Sequence, residues 1–174
     1  MLKLIIFAVA SVVNVLISWK SLKDPHTHGF YRFFAFESLL GSVLLNVDTW
    51  FRNPFSFHQI ISWFLMAGSY VLAVHGFFLL WIVGKPKGDI ENTTNLVTTG
   101  AYKYIRHPLY ASLFYGAWGV FAKDPVLSSL ILVLLTTFFL VATARVEEGE
   151  NIKKFGIDYA IYMVRTRMFI PFLY

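Results

Sequence analysis

Cysteine is absent from this chain of 174 residues. Its absence excludes disulfides, thiolate nucleophiles and cysteine-based metal sites, and leaves the compartment unmarked. Charge is scarce as well. Asp, Glu, Lys and Arg supply only 14% of the residues, too few to cover the surface of a soluble domain of this length. No polar block is long enough to fold separately, so one domain over residues 1–174 is expected. What remains is 57% apolar and 18% aromatic, with a mean hydropathy of +0.61. That balance belongs to polytopic membrane proteins. The net charge of +5 then reads as membrane topology, and nucleic-acid binding is not expected.

Hydrophobic runs predict about five transmembrane helices, at 2–19, 31–50, 57–83, 108–122 and 126–144. The first just crosses a hydrocarbon core of roughly 30 Å at about 1.5 Å per residue. Lys3 ahead of an apolar stretch could instead mark a signal peptide. No small-residue cleavage site follows, however, and Trp19-Lys20 has the composition of an interfacial anchor, so the helix is expected to be retained. The turn Lys123-Asp124-Pro125 is short enough only for two adjacent antiparallel helices.

Five spans sort the basic residues sharply. Lys20, Lys23, Arg32, Lys85, Lys87, Lys103, Arg106, Arg145, Lys153, Lys154, Arg165 and Arg167 fall on one side, against Lys3, Arg52 and Lys123 on the other. The rich side is expected to be cytoplasmic, together with the loop that ends at His107 and the C-terminal tail. Asn92-Thr93-Thr94 matches a glycosylation sequon, but this orientation keeps it out of the lumen.

The loop Gly84–Gly100 is polar, with Lys85, Lys87, Asp89, Glu91 and Asn92. Leu96 to Tyr110, LVTTGAYKYIRHPLY, then sets basic and aromatic residues directly against a hydrophobic span. Charge at a membrane boundary is costly unless it meets water, a partner or a ligand. Pro108 suits a helix start, because its missing N–H falls where that donor has no intrahelical partner. His107 is expected as the N-cap, and the amides of Leu109 and Tyr110 at the positive helix end favour a carboxylate or phosphate. A plain juxtamembrane anchor remains the alternative.

After Arg145 the chain turns acidic at Glu147, Glu148 and Glu150. Ile152, Phe155, Tyr159, Tyr162 and Met163 then recur at helical spacing, predicting an amphipathic C-terminal helix on the cytoplasmic surface, with a break at Gly156. Three acids on the basic side call for a partner: Arg106, Arg145, a cationic ligand, or merely the helix dipole. Elsewhere, Glu37 is either functional or a hydrogen-bonded interior group. Asp48 and Arg52 are expected to form a local ion pair, and His75 to be a buried packing or hydrogen-bonding residue. His26 and His28 lack a third ligand at metal spacing, so no metal is expected.

Two segments together resemble the isoprenylcysteine carboxyl methyltransferase family and, more broadly, the phospholipid methyltransferases. Leu96-Val97-Thr98-Thr99-Gly100-Ala101-Tyr102 with Arg106-His107-Pro108-Leu109-Tyr110 is similar to the family's LVTxGxYxxxRHPxY signature. Glu147-Glu148, Phe155-Gly156, Tyr159, Tyr162 and Pro171 are similar to its EE…FGxxYxxY…P tail. The match covers roughly the last 80 residues. It implies an all-α membrane enzyme that transfers a methyl group from S-adenosylmethionine, with a cytosolic cofactor region at 94–110 and 145–171. The cofactor contacts it implies are Thr94, Asn95, Leu96, Val97, Tyr102, His107, Pro108, Leu109, Tyr110 and Glu147 or Glu148.

The residue chemistry fits that implication. Backbone amides at a helix start suit the cofactor's carboxylate, an acidic side chain suits its ammonium or ribose, and Tyr102, Tyr104 or Tyr110 suits the adenine or sulfonium. Methyl transfer requires alignment and desolvation more than a strong base. Arg145 could hold a carboxylate acceptor in a bidentate pair, and Glu148 could serve as base for an amine acceptor. A lipid or prenylated acceptor arriving from the bilayer is expected. Phospholipid N-methylation, small-thiol S-methylation and a non-enzymatic lipid-binding adaptor are the alternatives.

Overall fold

A segment buried in lipid must satisfy every backbone polar group internally, and helices do so within one segment. The computed structural model follows that rule. It describes residues 1–88, 90 and 92–173; Asp89 and Glu91 of the polar loop, and the terminal Tyr174, lie outside the described residues. Among the described residues there are six α-helices: α1 (Leu2–Ser18), α2 (His28–Asn46), α3 (Phe57–Leu79), α4 (Pro108–Phe121), α5 (Leu127–Phe155) and α6 (Ile157–Arg165). Among the described residues extended backbone pairs only in two isolated bridges, Pro86 with Thr93 and Ile105 with Arg167.

The segments His28–Thr49, Phe57–Gly84 and Leu127–Phe155 are long and apolar enough to cross a membrane. Helices α1 and α4 are shorter, at 17 and 14 residues. Large apolar side chains are exposed along α3 and the π-helical turn Leu80–Gly84 that continues it, with Phe64 at 76%, Tyr70 at 71% and Trp81 at 62%. Water would not tolerate such a continuous apolar face, whereas lipid does. The protein is an integral membrane protein.

The described chain forms two compact units. The first comprises Met1–Met66 with Gly116–Glu147, and the second Ala67–Tyr115 with Glu148–Tyr174. Within the first, small polar residues join the helices. Asn46 bonds Ser129 at 3.1 Å, and the Thr136 hydroxyl donates to Ser38 at 2.9 Å. All four are buried. Ser38, Ser42 and Asn46 are spaced four apart and share one face of α2, and small side chains let helices approach closely in lipid. Glu37 accepts from Ser11 at 2.6 Å and Asn14 at 2.8 Å. Of its two expected roles, the geometry shows the hydrogen-bonded one.

Two expectations, the Asp48–Arg52 pair and the burial of His75, are overturned. Asp48 pairs with Lys3 rather than with Arg52. Helix α2 ends at Asn46 and Val47–Thr49 is a 3₁₀ turn, so the i,i+4 geometry assumed for Asp48 and Arg52 is never built. Helix α5 continues past the expected membrane span, which ends at 144, and runs on to Phe155, because nothing between Arg145 and Phe155 breaks a helix: Glu and Lys are good formers and the lone Gly149 is tolerated. His75 is exposed rather than buried, although it does make a hydrogen bond. The expected amphipathic stretch is divided at Gly156, whose φ of +61° ends α5 and starts α6.

Candidate functional site

The second unit gathers the loop before α4, the end of α5, and α6 with the segment after it. Its loop is shaped first by glycine. Gly100 has φ +58°, and a Cβ there would lie 2.5 Å from His75 Nε2 and 2.6 Å from Leu79 Cδ1. Positive φ and close approach both demand glycine. The Ala101 amide then donates to His75 Nε2 at 3.3 Å, fixing Gly100–Lys103 as a 3₁₀ turn beside α3.

That turn delivers Arg106 and His107 to the start of α4. The backbone from Tyr104 to His107 pairs with the chain after α6: Arg106 N–H donates to Arg167 O at 2.7 Å, Arg167 N–H to Tyr104 O at 3.0 Å, and His107 N–H to Met168 O at 3.3 Å. Pro108 is fully buried and is the first helical residue. Ala111 N–H closes the first turn on His107 O at 2.8 Å. Leu109 N–H meets no backbone acceptor among the described residues, as expected for a first-turn amide.

Arg106 is the organising side chain. Its Nε donates to Glu148 Oε1 at 2.6 Å, while Nη1 donates to Thr166 O at 2.6 Å and Met163 O at 3.2 Å. One guanidinium therefore pairs with α5 and caps the C-terminal carbonyls of α6, where a cation also complements the helix dipole. His107 Nε2 lies 3.4 Å from the same Glu148 oxygen. Arg106 and Glu148 side chains are only 12% and 10% exposed, which satisfies the rule that buried charge must be paired. Glu148 Oε2 takes no hydrogen bond from the described residues.

Aromatic rings pack the surround. His107 stacks on Tyr110 with centroids 5.5 Å apart, and Phe169 meets His107 edge-on at 6.4 Å and stacks on Phe114 at 6.0 Å. Tyr162 Oη donates to Tyr102 O at 2.7 Å. Burial pushes the Tyr162 phenol well above the usual tyrosine range, so this hydroxyl remains a donor.

The expected site residues divide accordingly. Tyr102, His107, Pro108, Leu109, Tyr110 and Glu148 all belong to the second unit and centre on the α4 start. Thr94 and Asn95 belong to it too, but their side chains close the loop, donating to Lys85 O at 2.9 Å and Val83 O at 3.0 Å. Val97 is buried within van der Waals reach of Gly84, and Leu96 is half-buried. Arg145 and Glu147 fall in the first unit. Pairing of the tail acids with Arg106, one of the options open in the sequence, is realised at Glu148. The carbonyl caps from Arg106, the Tyr162 bond and the Met168–Phe169 packing were not anticipated. The backbone bridge that aligns them joins residues some 60 positions apart, beyond the reach of any local sequence signal. Among the described residues no group of three His, Asp or Glu could hold a metal ion.

The fold is that of a helical integral membrane protein with a polar, charge-paired helix start. The phospholipid methyltransferase family model matches residues 57–157, and the chain belongs to that family. It is similar to methanethiol S-methyltransferase of Pseudomonas deceptionensis, 25% identical over 170 residues, covering 94% of this chain and 57% of that protein. It is also similar to human protein-S-isoprenylcysteine O-methyltransferase, 32% identical over 89 residues, 50% of this chain and 31% of that protein. For the Saccharomyces cerevisiae protein-S-isoprenylcysteine O-methyltransferase the values are 34% over 85 residues, 48% and 35%. The chain thus spans about a third to a little over half the length of these relatives.

Proposed function

We propose that this protein transfers a methyl group from S-adenosylmethionine to an apolar acceptor at the cytoplasmic membrane face, and that residues 1–174 form one five-span membrane domain with an interfacial C-terminal helix. The observation that carries the reading is Glu148 on α5, held by Arg106 and His107 beside the start of α4. The residues fit the cofactor. The Leu109 amide at the positive helix end suits its carboxylate, and Glu148 Oε2 suits its ammonium. Arg106 and His107 fix the rotamer and charge of Glu148, and Tyr102 and Tyr110 supply aromatic walls. The cofactor, when bound, supplies a methyl carbon already activated by its sulfonium. The chain's own work is to orient and to exclude water. Arg145 and Glu147 are assigned acceptor- and cofactor-binding roles on the family resemblance alone.

An open apolar groove of about 510 Å³ supports an acceptor arriving from the bilayer. Tyr70, Val74, Phe77, Phe78, Trp81 and Leu109 line it, so Leu109 belongs both to the groove and to the α4 start. A prenylated carboxylate needs such walls and is already ionised at neutral pH. Small-thiol S-methylation is the second reading, favoured by the match to the Pseudomonas deceptionensis protein across nearly the whole chain. The alternative of a phospholipid amine has Glu148 as its base; the observed ion pair leaves that carboxylate one oxygen, which in this reading serves the amine while Glu147 holds the cofactor.

The test is radiolabelled methyl transfer by purified protein to a farnesylated cysteine, to methanethiol and to phosphatidylethanolamine. Transfer to the farnesylated cysteine alone supports the leading proposal. Transfer to methanethiol alone selects the second. No transfer to any of the three, by protein that also fails to bind S-adenosylmethionine, refutes both.

A further inference from the structure

The turn between α4 and α5 carries a charge whose burial the methyl-transfer proposal does not use. Lys123 is 1% exposed, and its Nζ donates to Gln59 Oε1 at 3.0 Å. The same ammonium lies 3.1 Å from the centroid of the Trp63 ring. Gln59 is fully buried; its amide nitrogen donates to Thr49 O at 3.0 Å and Lys123 O at 3.2 Å, so its oxygen is oriented at the ammonium. Among the described residues Lys123 meets no carboxylate. Burial pushes its pKa down, the response expected of a cation lacking a counter-charge. An ammonium has three donors; Gln59 takes one, and the Trp63 ring faces the same ammonium.

Lys123 opens onto a polar pocket of about 230 Å³ that Thr49, Arg52, Asn53, His58, Gln59 and Asp124 also line. Arg52 is exposed, and no acceptor among the described residues takes its guanidinium. His58 is committed on both ring nitrogens, to Ser56 Oγ at 3.1 Å and Ala122 O at 3.0 Å. The pocket therefore sets two basic side chains, Lys123 and Arg52, against the single carboxylate of Asp124. Lys123 and Arg52 are also two of the three basic residues on the charge-poor side of the chain, where positive charge is disfavoured. A buried ammonium without a counter-charge, on a residue that lines a polar cavity with an uncommitted guanidinium, is costly unless an anion completes it.

We propose that this pocket binds a phosphate group, with Lys123 and Arg52 as its cations and Gln59 holding Lys123 in place. Arg52 offers a fork matched to phosphate oxygens, and Lys123 a point charge at the base. Asp124 suits an amine carried on the same ligand, as in a zwitterionic headgroup. Free inorganic phosphate and a phospholipid headgroup share this chemistry.

Calorimetric titration of detergent-purified protein with inorganic phosphate, and separately with short-chain phosphatidylethanolamine, separates the two sources; chloride at equal ionic strength is the control. Saturable binding of either probe is expected, with Arg52→Gln raising Kd about tenfold, the worth of one charge-assisted hydrogen bond. Lys123→Met should abolish binding. Arg52 is exposed, so its variant tests the proposal even if Lys123→Met fails to fold. Binding of phosphate itself assigns a free-anion site, and binding of the lipid alone assigns a headgroup site. Absence of binding by both probes, or binding unchanged in Arg52→Gln, overturns the proposal.

Discussion

Arg106 and Glu148 are joined at 2.6 Å across 42 positions of sequence, Nε to Oε1, with both side chains largely buried. The guanidinium simultaneously holds the last carbonyls of α6. Removing either partner strands a buried charge, so the pair fixes the geometry of the α4 start rather than adding a surface contact.

Arg106→Gln should therefore lower stability by about 3 kcal/mol, the usual cost of breaking a buried pair. Arg106→Lys should recover only part of it, since an ammonium cannot reproduce the fork that reaches Glu148 and the α6 carbonyls together. Thermal unfolding in detergent measures both. Equal midpoints for wild type and Arg106→Gln would show that the pair contributes nothing.

Tyr162→Phe should cost about 1–2 kcal/mol, because it leaves the buried Tyr102 carbonyl without its donor. The phenol also predicts a pH profile. Its folded pKa is raised, so the folded state holds the proton more tightly than the unfolded state does. Its contribution is complete below the ordinary tyrosine pKa of about 10 and is lost as pH climbs through the higher folded value. Ultraviolet titration of wild type against Tyr162→Phe should reveal no extra ionising phenol below about pH 10. An extra group titrating there would contradict the buried donor.

Gly100→Ala should destabilise the loop by at least about 1 kcal/mol from its positive φ alone, with further loss from contact with His75 and Leu79. Hydrogen exchange at Ala101 to Tyr104 is the readout. The double variant with His75→Ala should recover some protection by making room, but not all, since the backbone strain persists. Full recovery would assign the whole effect to the side-chain contact.

Much of this arrangement was legible locally. Pro108 as a helix start and Gly156 as a break follow from backbone chemistry at single residues, and the helices at α1 to α4 follow from apolar runs. The end of α5 was not legible, because hydropathy marks where apolarity stops whereas helicity continues through Glu147 to Lys154. The Asp48–Arg52 pairing failed for a related reason: the i,i+4 rule applies only inside a helix, and α2 had already ended. Arg106 as a cap for α6, and the Ile105–Arg167 bridge behind it, depend on contacts about 60 residues apart. No local pattern encodes them. Lys123 read as one charge in a topology count, and only the folded structure shows that it is buried, with its ammonium over Trp63.

The central claim is that Glu148, set by Arg106 and His107, receives the ammonium of S-adenosylmethionine. Calorimetry of the detergent-purified protein with S-adenosylmethionine and S-adenosylhomocysteine, for wild type and Glu148→Gln, tests it most directly. Glutamine keeps the shape and one acceptor for Arg106 but removes the charge. Loss of about 1.5–3 kcal/mol, roughly ten- to hundredfold in Kd, is predicted for an unfolding midpoint that shifts by less than that of Arg106→Gln. Unchanged affinity in folded Glu148→Gln protein would contradict the account.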